Sequence, residues 1–197
     1  MSKIISIHQP LFMPWFPYME KMYYSDIFVF MTTCQYEKGS CMNRNMVFDK
    51  MITKPISKAG DNILDKVYSD GQNLIEVNIS WIDAFRKTLN IQTPIKFDFP
   101  TEKTKTARIV EICKAYGGDK YLAAAEAPDK YLDVKMLEAS GIEFLPFKSK
   151  NKKNTIEMIH EIGIDKCIKT LERGKKKLHS DIKKREDAKQ KVLDEVN

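Results

Sequence analysis

No stretch of this chain approaches the roughly 18–20 apolar residues that a membrane-spanning helix needs. One lysine precedes a short apolar stretch at the N-terminus, but His8, Gln9 and Pro10 interrupt it at once. No signal peptide is therefore read, and a cytoplasmic location without membrane contact is expected. The four cysteines (Cys34, Cys41, Cys113 and Cys167) show no C-x-x-C spacing. That pattern favours reduced thiols and argues against zinc, whose sites use close ligand pairs; no metal and no cofactor are expected. Glycine is sparse, at 8 in 197 residues, and no Walker motif, nucleophile elbow or H-E-x-x-H occurs. Gly117-Gly118-Asp119 closes a helical stretch rather than opening one, so it reads as a helix stop and not as a phosphate loop.

Hydrophobic residues at 43% and aromatics at 10% are enough for a packed core, and the length suits one domain with a small appendage. Charge is unevenly placed. From Lys148 onward there are 15 Lys/Arg against 9 Asp/Glu, while the rest of the chain holds 18 of each. The whole net charge of +6 thus sits in the last quarter. A basic tail on a neutral body points to phosphates, nucleic acid or an acidic partner; a solvated lysine-rich helix is the plainer alternative.

Lys3–Ile7 and Ile27–Met31 read as buried strands, with a proline-rich loop at Gln9–Pro17 and a helix at Tyr18–Tyr24 between them. Cys34–Asn45 reads as a loop. Met46–Pro55 is expected to pair with Leu74–Ile79 as strands, across a long mobile loop at Ser57–Asn73. A helix is expected at Ile82–Asn90 and a half-exposed strand at Ile95–Phe99. Helices over Thr106–Tyr116, Asp129–Ser140 and Thr155–Ile162 alternate with strands at Lys120–Ala123 and Ile142–Phe147. From Ile164 the chain reads as helical, with Gly174 as a weak point. The expectation is an α/β fold: a mostly parallel, Rossmann-like sheet flanked by helices, with residues 1–165 as the body and 166–197 as a basic helical extension.

Two segments could carry chemistry. His8 stands where the first strand ends, the usual place for ligands in open α/β sheets. It can meet phosphate or move a proton, Gln9 can fix a polar edge, and Trp15 can stack on a ring. The plainer alternative has His8 and Gln9 tying down the turn while Trp15 fills the core. In the second segment, Asn43-Arg44-Asn45 with Gln35 and Lys38 upstream offers directional donors for phosphate or carboxylate. Here too the alternative is structural, with the asparagines holding turns and Arg44 on the surface. In the tail, Lys175, Lys176, Lys177, Lys183, Lys184 and Arg185 are the candidate phosphate contacts. Ile164, Cys167, Ile168, Leu171 and Leu178 form an apolar stripe that could pair helices in a homodimer and that fades after Leu178.

These segments resemble the WbqC-like family over Ile7 to Pro10, Pro14-Trp15, Tyr18, Lys21, Asp26, Phe28 to Phe30, Gln35-Tyr36, Lys38 and Asn43 to Asn45. Weaker similarity continues to about residue 165. The resemblance adds Tyr18 and Lys21 to the expected substrate-binding residues. It implies an α/β enzyme of polysaccharide or O-antigen biosynthesis, a transferase acting on an activated sugar. Where the family carries two aspartates after its second strand, this chain has Thr32-Thr33; any role of those carboxylates is then absent or placed elsewhere.

The leading expectation is a transferase whose substrate bears a phosphate or pyrophosphate leaving group. His8 would balance the charge developing there, Arg44 would grip it, and Asn43, Asn45 and Gln35 would orient the acceptor. The partner would be a nucleotide-linked sugar. Alternatives are a phage-type amino acid:DNA transferase acting on activated thymine, which the basic tail would suit, and a non-catalytic binding relative.

Overall fold

A computed structural model describes residues 2–57 and 61–196. The chain forms β1 (Ile4–His8), α1 (Phe16–Tyr24), β2 (Ile27–Phe30), β3 (Arg44–Val47), β4 (Lys50–Thr53) and α2 (Leu74–Thr88). It continues through β5 (Ile95–Phe97), α3 (Lys105–Ala115), β6 (Lys120–Ala124), α4 (Ala127–Lys130), α5 (Val134–Ala139) and β7 (Glu143–Phe147), then α6 (Thr155–Ile162) and α7 (Ile164–Val196). Strands in the order β5-β2-β1-β6-β7 make one parallel sheet. This is the expected α/β architecture with a long C-terminal helix.

The central strands β1 and β2 are covered on both sides and are continuous apolar runs, whereas the edge strand β5 alternates and is largely exposed. Ile5, Ile7, Val29, Tyr121 and Ala123 face α3 and α5. Phe28 and Phe30 face α1, α2, α6 and α7, and Ile4, Leu122 and Leu145 meet Tyr24 and Ile182 on that same side. The chain builds outward from β1 to β2 and β5, then returns to the other side of β1 for β6 and β7. The order reverses beside β1, and open α/β sheets bind ligands at the carboxyl ends of the strands that flank such a reversal, here β1 and β6.

Several local expectations are corrected. Leu74–Ile79 is not a strand but the first turns of α2. Asn73 caps it by accepting from the amides of Ile75 and Glu76, and Leu74, Ile75, Asn78, Ile82 and Phe85 are buried at helical spacing. Residues 46–53 pair with themselves instead: β3 and β4 form an antiparallel hairpin whose turn residues, Phe48 and Asp49, have φ of 48° and 57°. Positive φ at both central positions matches the twist of a two-residue hairpin. The prolines do not keep the helix from starting at Phe16, because Pro17 lies in the first turn, where no helical bond needs its N–H. The expected helix over 129–140 is divided: α4 ends at Lys130 with Tyr131 as its C-cap, and Asp133 caps α5 by accepting from the Met136 amide.

Part of the expected mobile loop, residues 58–60, lies outside the described residues. From Asp61 on, the loop is anchored. Asn62 caps a 3-10 turn at Ile63–Asp65, and Ile63 and Tyr68 are buried with Met42 and Leu74. Gly174 does not break α7. Its missing side chain admits Tyr24, whose hydroxyl would lie 1.7 Å from a Cβ at that position. The apolar stripe is spent inside the chain: Cys167 and Leu171 pack with Phe16, Met19 and Met22, and the stripe runs on past Leu178 to Ile182. Ile164 alone of its leading residues is exposed, at 43%. No helix among the described residues is long and apolar enough to cross a membrane.

Candidate active site

His8 ends β1 and turns its ring to the α1 side, edge-on to Tyr18 with centroids 4.9 Å apart. Its Nδ1 lies 3.1 Å from the carbonyl oxygen of Gln9, which also accepts the Tyr18 hydroxyl at 3.2 Å. A carbonyl can only accept, so Nδ1 carries the proton and Nε2 presents a lone pair. Lys21 lies one turn after Tyr18 on α1 and is 8% exposed. Among the described residues its ammonium makes no hydrogen bond and no ion pair.

Burial shifts both groups, and Lys21 also acts on His8. Burial pushes His8 down to about 3, the Lys21 charge pushes the same way, and the Gln9 carbonyl opposes both. Burial alone brings Lys21 down to about 8. At neutral pH the site therefore pairs a neutral imidazole with an ammonium that lacks a counter-charge. A neutral ring is not the charge-balancing cation that the sequence suggested for His8.

On the other side of β1, Asp98 follows β5 and turns a fully buried carboxylate toward the end of β2. It accepts from the amide and hydroxyl of Thr32 at 2.7 and 3.0 Å and from the Thr33 hydroxyl at 2.8 Å. It also pairs with Arg108 of α3, whose Nη2 bonds the Thr33 carbonyl at 3.0 Å. Asp98 thus sets a carboxylate beside Thr32 and Thr33, with its lone pairs taken up by these bonds. Arg108 was not singled out in the sequence. Its Nε is buried without a partner, and its Nη1 makes no hydrogen bond among the described residues. Gln9 reaches toward this group, donating to the Cys34 sulfur at 3.4 Å. Burial raises the Cys34 thiol, which makes it a poor nucleophile.

The Asn43-Arg44-Asn45 triplet divides. Asn43 accepts from the Tyr36 hydroxyl at 2.9 Å and donates to the Lys54 carbonyl at 3.1 Å. Asn45 is 2% exposed and donates to the carbonyls of Met13, at 2.9 Å, and Phe12, at 3.3 Å. Both asparagines thus hold backbone together. Arg44, on the opposite face of β3, is exposed and bonds the Gly39 carbonyl. Gln35 and Lys38 are also exposed. Gln35 bridges through its backbone to Asn62. Trp15 is half-buried at the N-cap of α1, bridges to Asn154, and joins none of the core clusters among the described residues.

In the tail, Lys175 is half-buried and bonds the Tyr23 carbonyl at 3.0 Å, whereas Lys176, Lys177, Lys183, Lys184 and Arg185 are exposed. Two open surface grooves lie away from His8, one beside the start of α2 around Asn73 and Trp81, the other around Asp26 and Thr93. Among the described residues no three His, Cys, Asp or Glu side chains group as metal ligands would.

The parallel sheet, the reversal beside β1 and the polar groups at its carboxyl edge define an α/β protein with its candidate site at that edge. Residues 9–62 and 52–155 match the model of the WbqC-like protein family, and the chain belongs to that family. His8 stands one residue before the matched region and α7 lies beyond it. No curated protein and no solved structure matches the chain.

Proposed function

We propose that the chain is a transferase for a small substrate that carries a phosphate or pyrophosphate leaving group, such as a nucleotide-linked sugar in polysaccharide modification. One observation carries this reading: Lys21 is only 8% exposed, has no carboxylate partner among the described residues, and stands beside a neutral histidine. A buried charge is costly unless it is paired, and the partner this site calls for is an anion. Lys21 would hold the departing phosphate. The substrate's anionic charge would offset the burial and the Lys21 charge that hold the His8 pKa down, and Nε2 would then accept the proton of the attacking amine or hydroxyl as the new bond forms and the bond to the phosphate oxygen breaks. Arg108, rather than Arg44, is the guanidinium at this edge of the sheet and offers Nη1 to a second anionic group.

Nucleotide sugars are to be screened by calorimetry, and turnover of any ligand compared between wild type and His8→Ala. The proposal expects turnover to fall much more than binding. Intact turnover in His8→Ala would remove the mechanism.

A further inference from the structure

Helix α7 is 33 residues long, about 50 Å at 1.5 Å per residue. One side is used in packing, through Cys167, Leu171, Leu178 and Ile182. On the opposite side Lys169, Arg173, Lys176, Lys177, Lys183 and Lys184 are all exposed. With 3.6 residues per turn these six fall within a sector of about 120°. Between residues 169 and 184 the sector holds one other residue, Ser180; Glu172 and Asp181 lie outside its two borders. Among the described residues none of the six makes an ion pair. The tail pairs instead through Glu186 with Lys120 and Lys189 with Glu143, which pin the helix to the sheet.

A stripe of unpaired cations without an apolar side chain selects its partner by charge alone. A helix that lies on a membrane needs an exposed apolar face, and here that face is inside the protein. Six cations spread over about 22 Å of helix suit a polymer of closely spaced phosphates. Duplex DNA carries one per about 1.7 Å of its axis. We propose that this face of α7 docks duplex DNA through its phosphates, without reading bases. The inference stands apart from the transferase reading, since none of its residues belongs to the His8–Lys21 site.

The test is fluorescence anisotropy of a labelled duplex of about 20 base pairs with the full chain across a salt series. Each neutralised phosphate contributes roughly −0.9 to the slope of log K against log salt, so four to six contacts predict a slope of about −4 to −5. Affinity should then fall roughly several-hundred-fold between 50 and 200 mM salt. A variant with Lys176, Lys177, Lys183 and Lys184 all changed to Gln should bind at least about tenfold more weakly at 50 mM and lose most of that slope. Its circular dichroism should match wild type, because the four side chains are exposed. His8→Ala should bind the duplex as wild type does, even if the transferase reading fails. Absence of binding by wild type at 50 mM would overturn the proposal. So would equal binding by the four-lysine variant, or binding to phosphatidylserine vesicles with none to DNA.

Discussion

Lys21 stands beside His8 on the underside of α1, and its charge helps keep that imidazole neutral while no carboxylate among the described residues pairs with Lys21 itself. An arrangement of this kind costs stability until a ligand supplies the missing charge.

Lys21→Met should stabilise the protein. The folded pKa of about 8 lies below the ordinary 10.5, so between those values the unfolded chain binds more protons. Stability then rises with pH across that window, and below pH 8 the full penalty of about 3 kcal/mol applies. Lys21→Met should unfold at higher temperature at pH 7, and the gap should narrow as pH approaches 10. An unfolding midpoint at or below wild type at pH 7 would contradict the lowered pKa.

His8 works at the other end of the scale. Its pKa drops from 6.5 to about 3 on folding, so stability is lost as pH falls from 6.5 toward 3. His8→Asn should flatten the acid limb of a stability–pH curve measured by urea unfolding. An unchanged limb would show that other groups dominate it.

Asn45→Ala should destabilise by about 1–3 kcal/mol, since the carbonyls of Phe12 and Met13 and the Met46 amide all lose a buried partner. Arg44→Ala, on the exposed face, should stay within about 0.5 kcal/mol. Chemical unfolding of the two variants checks the division of the triplet.

The same triplet shows what the sequence made legible. Its importance could be seen, but its roles could not, because residues 34–45 read as a loop. Once Arg44–Val47 is a strand, the two-residue period puts Asn45 and Arg44 on opposite faces. Strands β1, β2, β6 and β7 were readable because each is a short apolar run with turn residues at its ends. Of helix α2 only the second half was, at Ile82–Asn90, since Leu74–Ile79 is rich in β-branched residues and alternates. Its helical identity shows only in the Asn73 cap and in the spacing carried on to Ile82 and Phe85. His8 could be found from its place at a strand end. Lys21 came only through family resemblance, and Arg108 was hidden because Asp98 and Thr33, which position it, lie on other elements.

Gly174→Ala should destabilise by about 1–3 kcal/mol, although alanine favours a helix by about 1 kcal/mol. The new Cβ would meet the ring and hydroxyl of Tyr24, which α1 and Phe147 hold in place. Thermal unfolding decides it, and a gain in stability would mean that Tyr24 moves aside freely.

Calorimetric titration of inorganic pyrophosphate into wild type and Lys21→Met at pH 7 bears most directly on the His8–Lys21 site. The account predicts that wild type binds, that affinity weakens above pH 8 as Lys21 loses its proton, and that Lys21→Met binds at least about tenfold more weakly while folding more stably. Pyrophosphate binding as tight in Lys21→Met as in wild type would contradict it.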